Sequence, residues 1–212
     1  SIFFMAPIFL LYGLLLYPDE TYAGGSMFFI FVGIFMTGGM MLNYSSYSFG
    51  YDSNFFDSIL SHYSDFKQYL RVKYIIAVSI TTICYVLTIP YALFGNYIFL
   101  INTAAFLYNV GFLSFGLFFT ATYSSNRLDL SKNASFNYQG MGATHWLSML
   151  PAFILPILIV WPFKHFGNAN IGYIVVGLIG LSGILLHKTL LDVLTRQFMK
   201  RRHIMAKGFR SS

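Results

Sequence analysis

The residues of this chain that could do chemistry are few, and their spacing argues against most kinds of it. His62, His145, His165, His187 and His203 are scattered, without the short separations that let neighbouring imidazoles grip an ion, so no metal site is expected. No serine, histidine and aspartate set and no carboxylate pair falls within the apolar runs, which leaves hydrolysis without a centre. A GxxxxGKS/T phosphate loop is also missing. The expectation is a protein that is not an enzyme and holds no cofactor of its own. What the residue types do support is contact. Ser61, His62, Tyr63, Ser64 and Asp65 make a polar tip suited to a partner. Asn102, Asn109 and Gly116 recur every seven residues, so a straight helix stacks them on one face, where amides line a substrate path or bond to a neighbouring helix. Lys200, Arg201 and Arg202 form a cationic cluster suited to anionic lipid headgroups or, alternatively, to a partner.

The elements that must position these residues follow from composition. Charged residues are 9% of the chain, hydrophobic residues 57% and aromatic residues 20%, whereas a soluble domain is about a quarter charged. That balance predicts an integral membrane protein, all-α, a polytopic transmembrane helix bundle forming a single domain over residues 1–212. Apolar runs lie at Ile2–Tyr17, Ser26–Asn43, Tyr74–Phe94, Tyr97–Thr122, His145–Phe163 and Ile171–His187, which gives about six spans. The first reaches only about 25 Å and no initiator Met precedes it, so the chain is expected to be the C-terminal part of a longer polypeptide. The short Gly95-Asn96 turn predicts that the third and fourth runs form an antiparallel hairpin. Pro151, Pro156 and Pro162 predict a kinked or broken fifth span. Gly172, Gly177, Gly180 and Gly183 predict close helix approach in the sixth.

One long stretch is neither span nor loop. Over Tyr51–Lys73, the residues Phe55, Phe56, Ile59, Leu60, Tyr63, Phe66, Tyr69 and Leu70 fall at helical spacing on one side, with Asp57, Ser61, His62, Asp65 and Lys67 on the other. The pattern predicts an amphipathic helix along the membrane surface, its apolar face inward and its polar face offered to the water. If that helix is cytoplasmic, all thirteen Lys and Arg except Lys164 fall on the same side, in loops and in a basic tail over 188–212. Such a bias sets orientation during insertion and places both ends of this segment in the cytoplasm. The net charge of +6 then reflects topology and anionic lipid, not nucleic acid. None of the six runs holds Asp, Glu, Lys or Arg, so energy for any transport would come from outside them.

Two spans, the stretch FFDSILSHYSDFKQYLRVK, a close-coupled pair of spans, a loop, a proline-interrupted span, a last span and a basic end form an order that resembles the ABC-2 type permeases. The loop SNRLDLSKNASFNYQG and the ending KRRHIMAKGFR are also similar to a family of uncharacterised bacterial permease-like proteins related to that class. The resemblance implies that Asp57, Ile59 with Leu60, the break Ser61–Ser64, and Lys73 belong to a coupling helix that presses on an ATPase subunit. Phe55, Phe56, Asp57, Ile59, Leu60, Ser61, His62, Tyr63, Ser64 and Asp65 are then the partner-binding residues. It further implies an exporter in the bacterial inner membrane, with ATP and Mg bound by a separate ABC-type subunit and a second permease half or homodimer beside this one. Two other classes remain open: a scaffold whose surface helix docks a partner that is not an ATPase, and a lipid-modifying enzyme whose catalytic residues lie in a preceding segment.

Overall fold

A computed structural model describes residues 11, 13, 15, 17, 27–62, 65–124 and 143–211, with side chains at all of these except 27, 143–152 and 211. The described chain is helical, with no strand. The helices are α1 (Met27–Ser46), α2 (Ser48–Tyr51), α3 (Phe56–His62), α4 (Phe66–Thr88), α5 (Asn96–Tyr108), α6 (Ser114–Ala121), α7 (Ala143–His165), α8 (Ala169–Leu185) and α9 (His187–Ser211). Short 3-10 turns at Ser53–Phe55 and Ile89–Phe94 and a π-helical turn at Asn109–Leu113 join some of them.

Three stretches are long and apolar enough to cross a membrane: Phe28–Ser46, Phe66–Phe94 and Asn96–Ala121. A fourth qualifies if α8 and α9, bent by 71°, are taken together. The described part of α7 is apolar but shorter, Phe153–His165. The expected six spans are therefore three or four on the described residues. Of the first run only residues 11, 13, 15 and 17 are described, and the segment 125–142 lies outside the described residues.

The sequence predicts one surface helix over 51–73, and the structure divides it. Asp65 has an extended backbone, and its carboxylate accepts the N–H groups of Lys67 (2.9 Å) and Gln68 (3.3 Å). In a continuous helix those groups would bond to the carbonyls of Tyr63 and Ser64, so the cap starts a new helix instead. Residues 66–73 are consequently the first two turns of a membrane-length helix, not the end of a surface one. Along α4, Leu70, Lys73, Tyr74, Ala77, Thr81, Cys84 and Thr88 face inward at helical spacing, while Val72, Ile75, Ile76, Ile83, Val86 and Leu87 lie exposed. An apolar outer flank is the surface that a hydrocarbon solvent selects. The α4–α5 hairpin closes at Gly95, whose φ of +149° only glycine adopts readily, and a Cβ there would stand 2.7 Å from the Tyr97 ring. Tyr85 ties the hairpin by a hydroxyl contact with Thr103 (2.9 Å) and by stacking on Phe106 (4.5 Å).

α1 is the inner helix, packed against α4, α5, α6 and α7; α8 lies against α5 and α7. Where α5 meets α8 the backbones touch: a Cβ on Gly180 would overlap the backbone of Leu107 and Tyr108, and one on Gly183 the carbonyl of Gly111. Close approach of α8 through its glycines is thus as the sequence predicts. Of the two expectations for the fifth span, kinked or broken, the break is not found: the α7 helix is continuous through Pro151, Pro156 and Pro162. Each proline deletes one N–H from the ladder, and the bonds on either side persist. The irregularity sits instead in the fourth run, at Asn109–Leu113, where no proline occurs. There the Val110 carbonyl accepts the Ser114 hydroxyl (2.7 Å) and the Tyr74 hydroxyl (3.3 Å). A π turn holds one residue more than an α turn and re-phases everything beyond it. Asn102 and Asn109 are buried while Gly116 faces out with open space beside it, so the three do not share a face.

Candidate functional site

The end of the bundle where α1 and α6 finish and α4 begins is covered by α2, α3 and α9. Its centre is Phe198, fully buried, surrounded by Phe49 (5.3 Å between centroids), Phe66 (5.6 Å), Tyr69 (5.9 Å) and Phe56 (6.1 Å). Phe209 adds an edge contact to Phe56 at 5.0 Å. These side chains come from α2, α3, α4 and α9, so one aromatic cluster unites four elements; each such pair contributes about 0.5–1.5 kcal/mol beyond its buried area. The sequence reason is the spacing of Leu191, Leu194, Phe198, Met205 and Phe209, which gives α9 a single buried stripe.

Ion pairs lock the same elements together. Lys73 lies 2.7 Å from Asp52 and donates to the Ser48 carbonyl (2.9 Å), while the Tyr69 hydroxyl donates to Asp52 at 2.5 Å. The α4 span is thereby pinned to the chain between α2 and α3. Lys67 pairs with Asp192 at 2.6 Å, joining α4 to α9. Arg210 grips Asp57 with two bonds, Nε to Oδ2 at 2.9 Å and Nη2 to Oδ1 at 2.6 Å, joining α9 to α3. That fork holds the Asp57 carboxyl below its ordinary range. Asp52, Asp57, Asp65 and Asp192, which are all the acidic residues among those described, are spent here: three bridge elements and one caps α4.

The outer surface is polar with one aromatic projection. Phe55 is 69% exposed at the tip, beside exposed Asn54, Asp57, Ser58, Ser61 and His62. Ser61 donates to the Ser58 carbonyl (3.1 Å) and its hydroxyl touches His62 Nδ1 (2.9 Å), which fixes the last turn of α3. The expected partner-binding set therefore splits. Phe55, Asp57, Ser61, His62 and Asp65 lie at the surface; Phe56 is buried, and Ile59 and Leu60 are half-buried against the core; Tyr63 and Ser64 lie outside the described residues. Phe55 leaves the apolar face assigned to it because it closes a 3-10 turn, where three residues per turn replace 3.6.

The cationic cluster also divides. Arg201 donates to the Thr122 carbonyl at the end of α6 (3.0 Å) and lies over the Tyr123 ring (4.1 Å); Arg202 lies over Phe66 (5.7 Å). Both guanidinium groups are engaged within the protein, and Lys200 alone of the three is exposed and free of any partner among the described residues. Sequence reasoning missed Asp52, Asp192, Phe198 and Arg210. The spacing of apolar residues in α9 was the available signal for Phe198; nothing local marked the three charges.

Deep in the bundle, Asn102 accepts from the Tyr17 hydroxyl (2.7 Å), and Asn109 donates to the Ile34 carbonyl (3.1 Å) and the Thr37 hydroxyl (2.9 Å). The Asn109 bonds run between helices, to α1, while the Asn102 bond runs to the bend at Tyr17. Asn102 Nδ2, Asn109 Oδ1 and the Tyr108 hydroxyl remain buried without a hydrogen-bond partner among the described residues.

A model of DUF5687, described as a family of unknown function, matches residues 1–212, and the chain belongs to that family. No curated protein and no solved structure matches it.

Proposed function

We propose that this member of the DUF5687 family is the membrane-spanning permease component of an ATP-driven exporter, with the α2–α3 tip as the surface that a separate ATP-binding subunit pushes. The observation that carries the reading is the Asp52–Lys73 pair, because it fastens the exposed tip directly to a membrane-length helix. A force applied at Phe55 or Ser61 would pass through this ion pair, whose lysine is buried, into α4. The basic residues support the same orientation. Of the described Lys and Arg, Lys164 alone lies on a segment at the opposite end of the bundle, so the platform formed by α2, α3 and α9 is read as cytoplasmic. In this mechanism the helices have two packings, and ATP closure in the partner shifts their populations. ATP and Mg belong to that partner; a second copy or a second permease half completes the path.

The test is co-purification of the full chain with an ABC-type ATP-binding protein from its own host. Phe55→Ala and Ser61→Arg should abolish the association while the chain still inserts and melts normally. Undiminished association with both variants would remove the tip from the mechanism. Capture of a partner without ATPase activity through this tip would instead identify a scaffold.

A further inference from the structure

Three stripes run along α9, and only one of them is used within the protein. The inner stripe is the buried one that runs from Leu191 through Phe198 to Phe209. A second, on one flank, holds Leu186, just before the helix, then Val193 and Ile204, which are 56%, 45% and 55% exposed. The third, next to it on the outer side, holds Arg196, Lys200 and Lys207, all exposed. At 3.6 residues per turn the flank and outer stripes lie side by side. The three cations have no partner among the described residues, because every described carboxylate is already committed to a bridge or a cap. The helix itself turns 71° from α8, close to a right angle, so an upright α8 leaves α9 lying across the end of the span.

We propose that α9 is an interfacial helix that binds anionic lipid: Leu186, Val193 and Ile204 enter the acyl boundary at the rim of the bundle, and Arg196, Lys200 and Lys207 hold the headgroups. An acidic protein surface would satisfy the cations, but it gives no use to a greasy flank that starts at the last turn of an apolar helix. A leaflet satisfies both stripes at once, with apolar residues below and flexible cationic stems reaching to phosphate above. Arg201 and Arg202 take no part, being held by Thr122, Tyr123 and Phe66.

The test uses the full chain in mild detergent, titrated with phosphatidylglycerol or phosphatidylcholine and read by native mass spectrometry. A cation near an anionic leaflet is worth about a factor of five, so Arg196→Gln, Lys200→Gln and Lys207→Gln together should weaken phosphatidylglycerol binding on the order of a hundredfold at low salt. Phosphatidylcholine binding should not change, and Lys164→Gln should behave as wild type. Equal phosphatidylglycerol binding by wild type and triple variant overturns the proposal, as does displacement of the lipid by millimolar inorganic phosphate. Because the variant residues are exposed and have no hydrogen-bond or ion-pair partner among the described residues, near-ultraviolet circular dichroism should report an unchanged fold. If it does not, a dye on Val193→Cys in nanodiscs decides independently: quenching by lipid-borne nitroxide supports the assignment, and quenching by aqueous iodide alone overturns it in favour of a soluble acidic partner.

Discussion

The ammonium of Lys73 lies 2.7 Å from the carboxylate of Asp52, with only 8% of the lysine side chain exposed against 31% of the aspartate. The buried ammonium holds its charge because each member has a second partner, the Ser48 carbonyl for Lys73 and the Tyr69 hydroxyl for Asp52. Removing one member strands the other, which costs more than removing both. Lys73→Met should lower stability by about 3 kcal/mol in detergent melts, and adding Asp52→Asn should recover part of that loss. A double variant less stable than Lys73→Met alone would mean that the pair does not act as a unit.

Where α8 meets the chain at 107–111, Gly180, Gly183 and Gly111 leave no room for a side chain. Gly180→Ala and Gly111→Ala should each cost several degrees of melting temperature or prevent recovery of folded protein, because the new methyl meets backbone and not a flexible side-chain end. Gly116→Ala is the internal control: it faces open space, so the substitution should be neutral or add up to about 1 kcal/mol through helix propensity. Equal effects at Gly116 and Gly180 would refute the crossing as described.

Asn109 and Gly38 should behave as a coupled pair. A Cβ on Gly38 would overlap the Asn109 amide, so Gly38→Ala alone forces that amide off the Ile34 carbonyl and the Thr37 hydroxyl. Interhelical bonds of this kind average about 0.6 kcal/mol, with a maximum of about 1.7. Asn109→Ala should cost an amount in that range and should suppress most of the damage caused by Gly38→Ala. Strict additivity in a double-mutant cycle would show that the two do not touch.

The Asp57–Arg210 fork sets the acid limit of the α3–α9 contact. Because Arg210 lowers the folded Asp57 carboxyl beneath the ordinary 3.8, the fork's contribution is complete above that value and is lost as pH falls through the lower, folded one. Spin labels on Ser58 and Lys207 should report a constant separation from pH 8 to 5 and a widening only in stronger acid. Asp57→Asn should give the wide separation, or one independent of pH, throughout.

Much of the fold was legible because its driving force is written in local patterns. The apolar runs located α1 and α8 to within three residues and the α5–α6 stretch as one run, and Gly95-Asn96 marked the hairpin, whereas α4 begins eight residues before the run assigned to it. Two features were not legible. The division of the 51–73 stretch depends on which acceptor takes the N–H groups of Lys67 and Gln68, and the periodicity of large residues is the same on either side of Asp65. The outward turn of Gly116 depends on an extra residue in the turn at Asn109–Leu113, whereas heptad counting assumes a uniform helix. The platform was half legible. Its exposed tip followed from residue type, but the partners of Asp52, Asp57 and Asp192 lie on other elements and only tertiary structure brings them together.

Where Gly111 meets Gly180 and Gly183, two helices touch with nothing interdigitated between them. Such a crossing sets the separation of α8 from the chain at 107–111 at its closest possible value, and Gly177 against Ala104 and Gly172 against Val160 hold the same helix at two further points along its length.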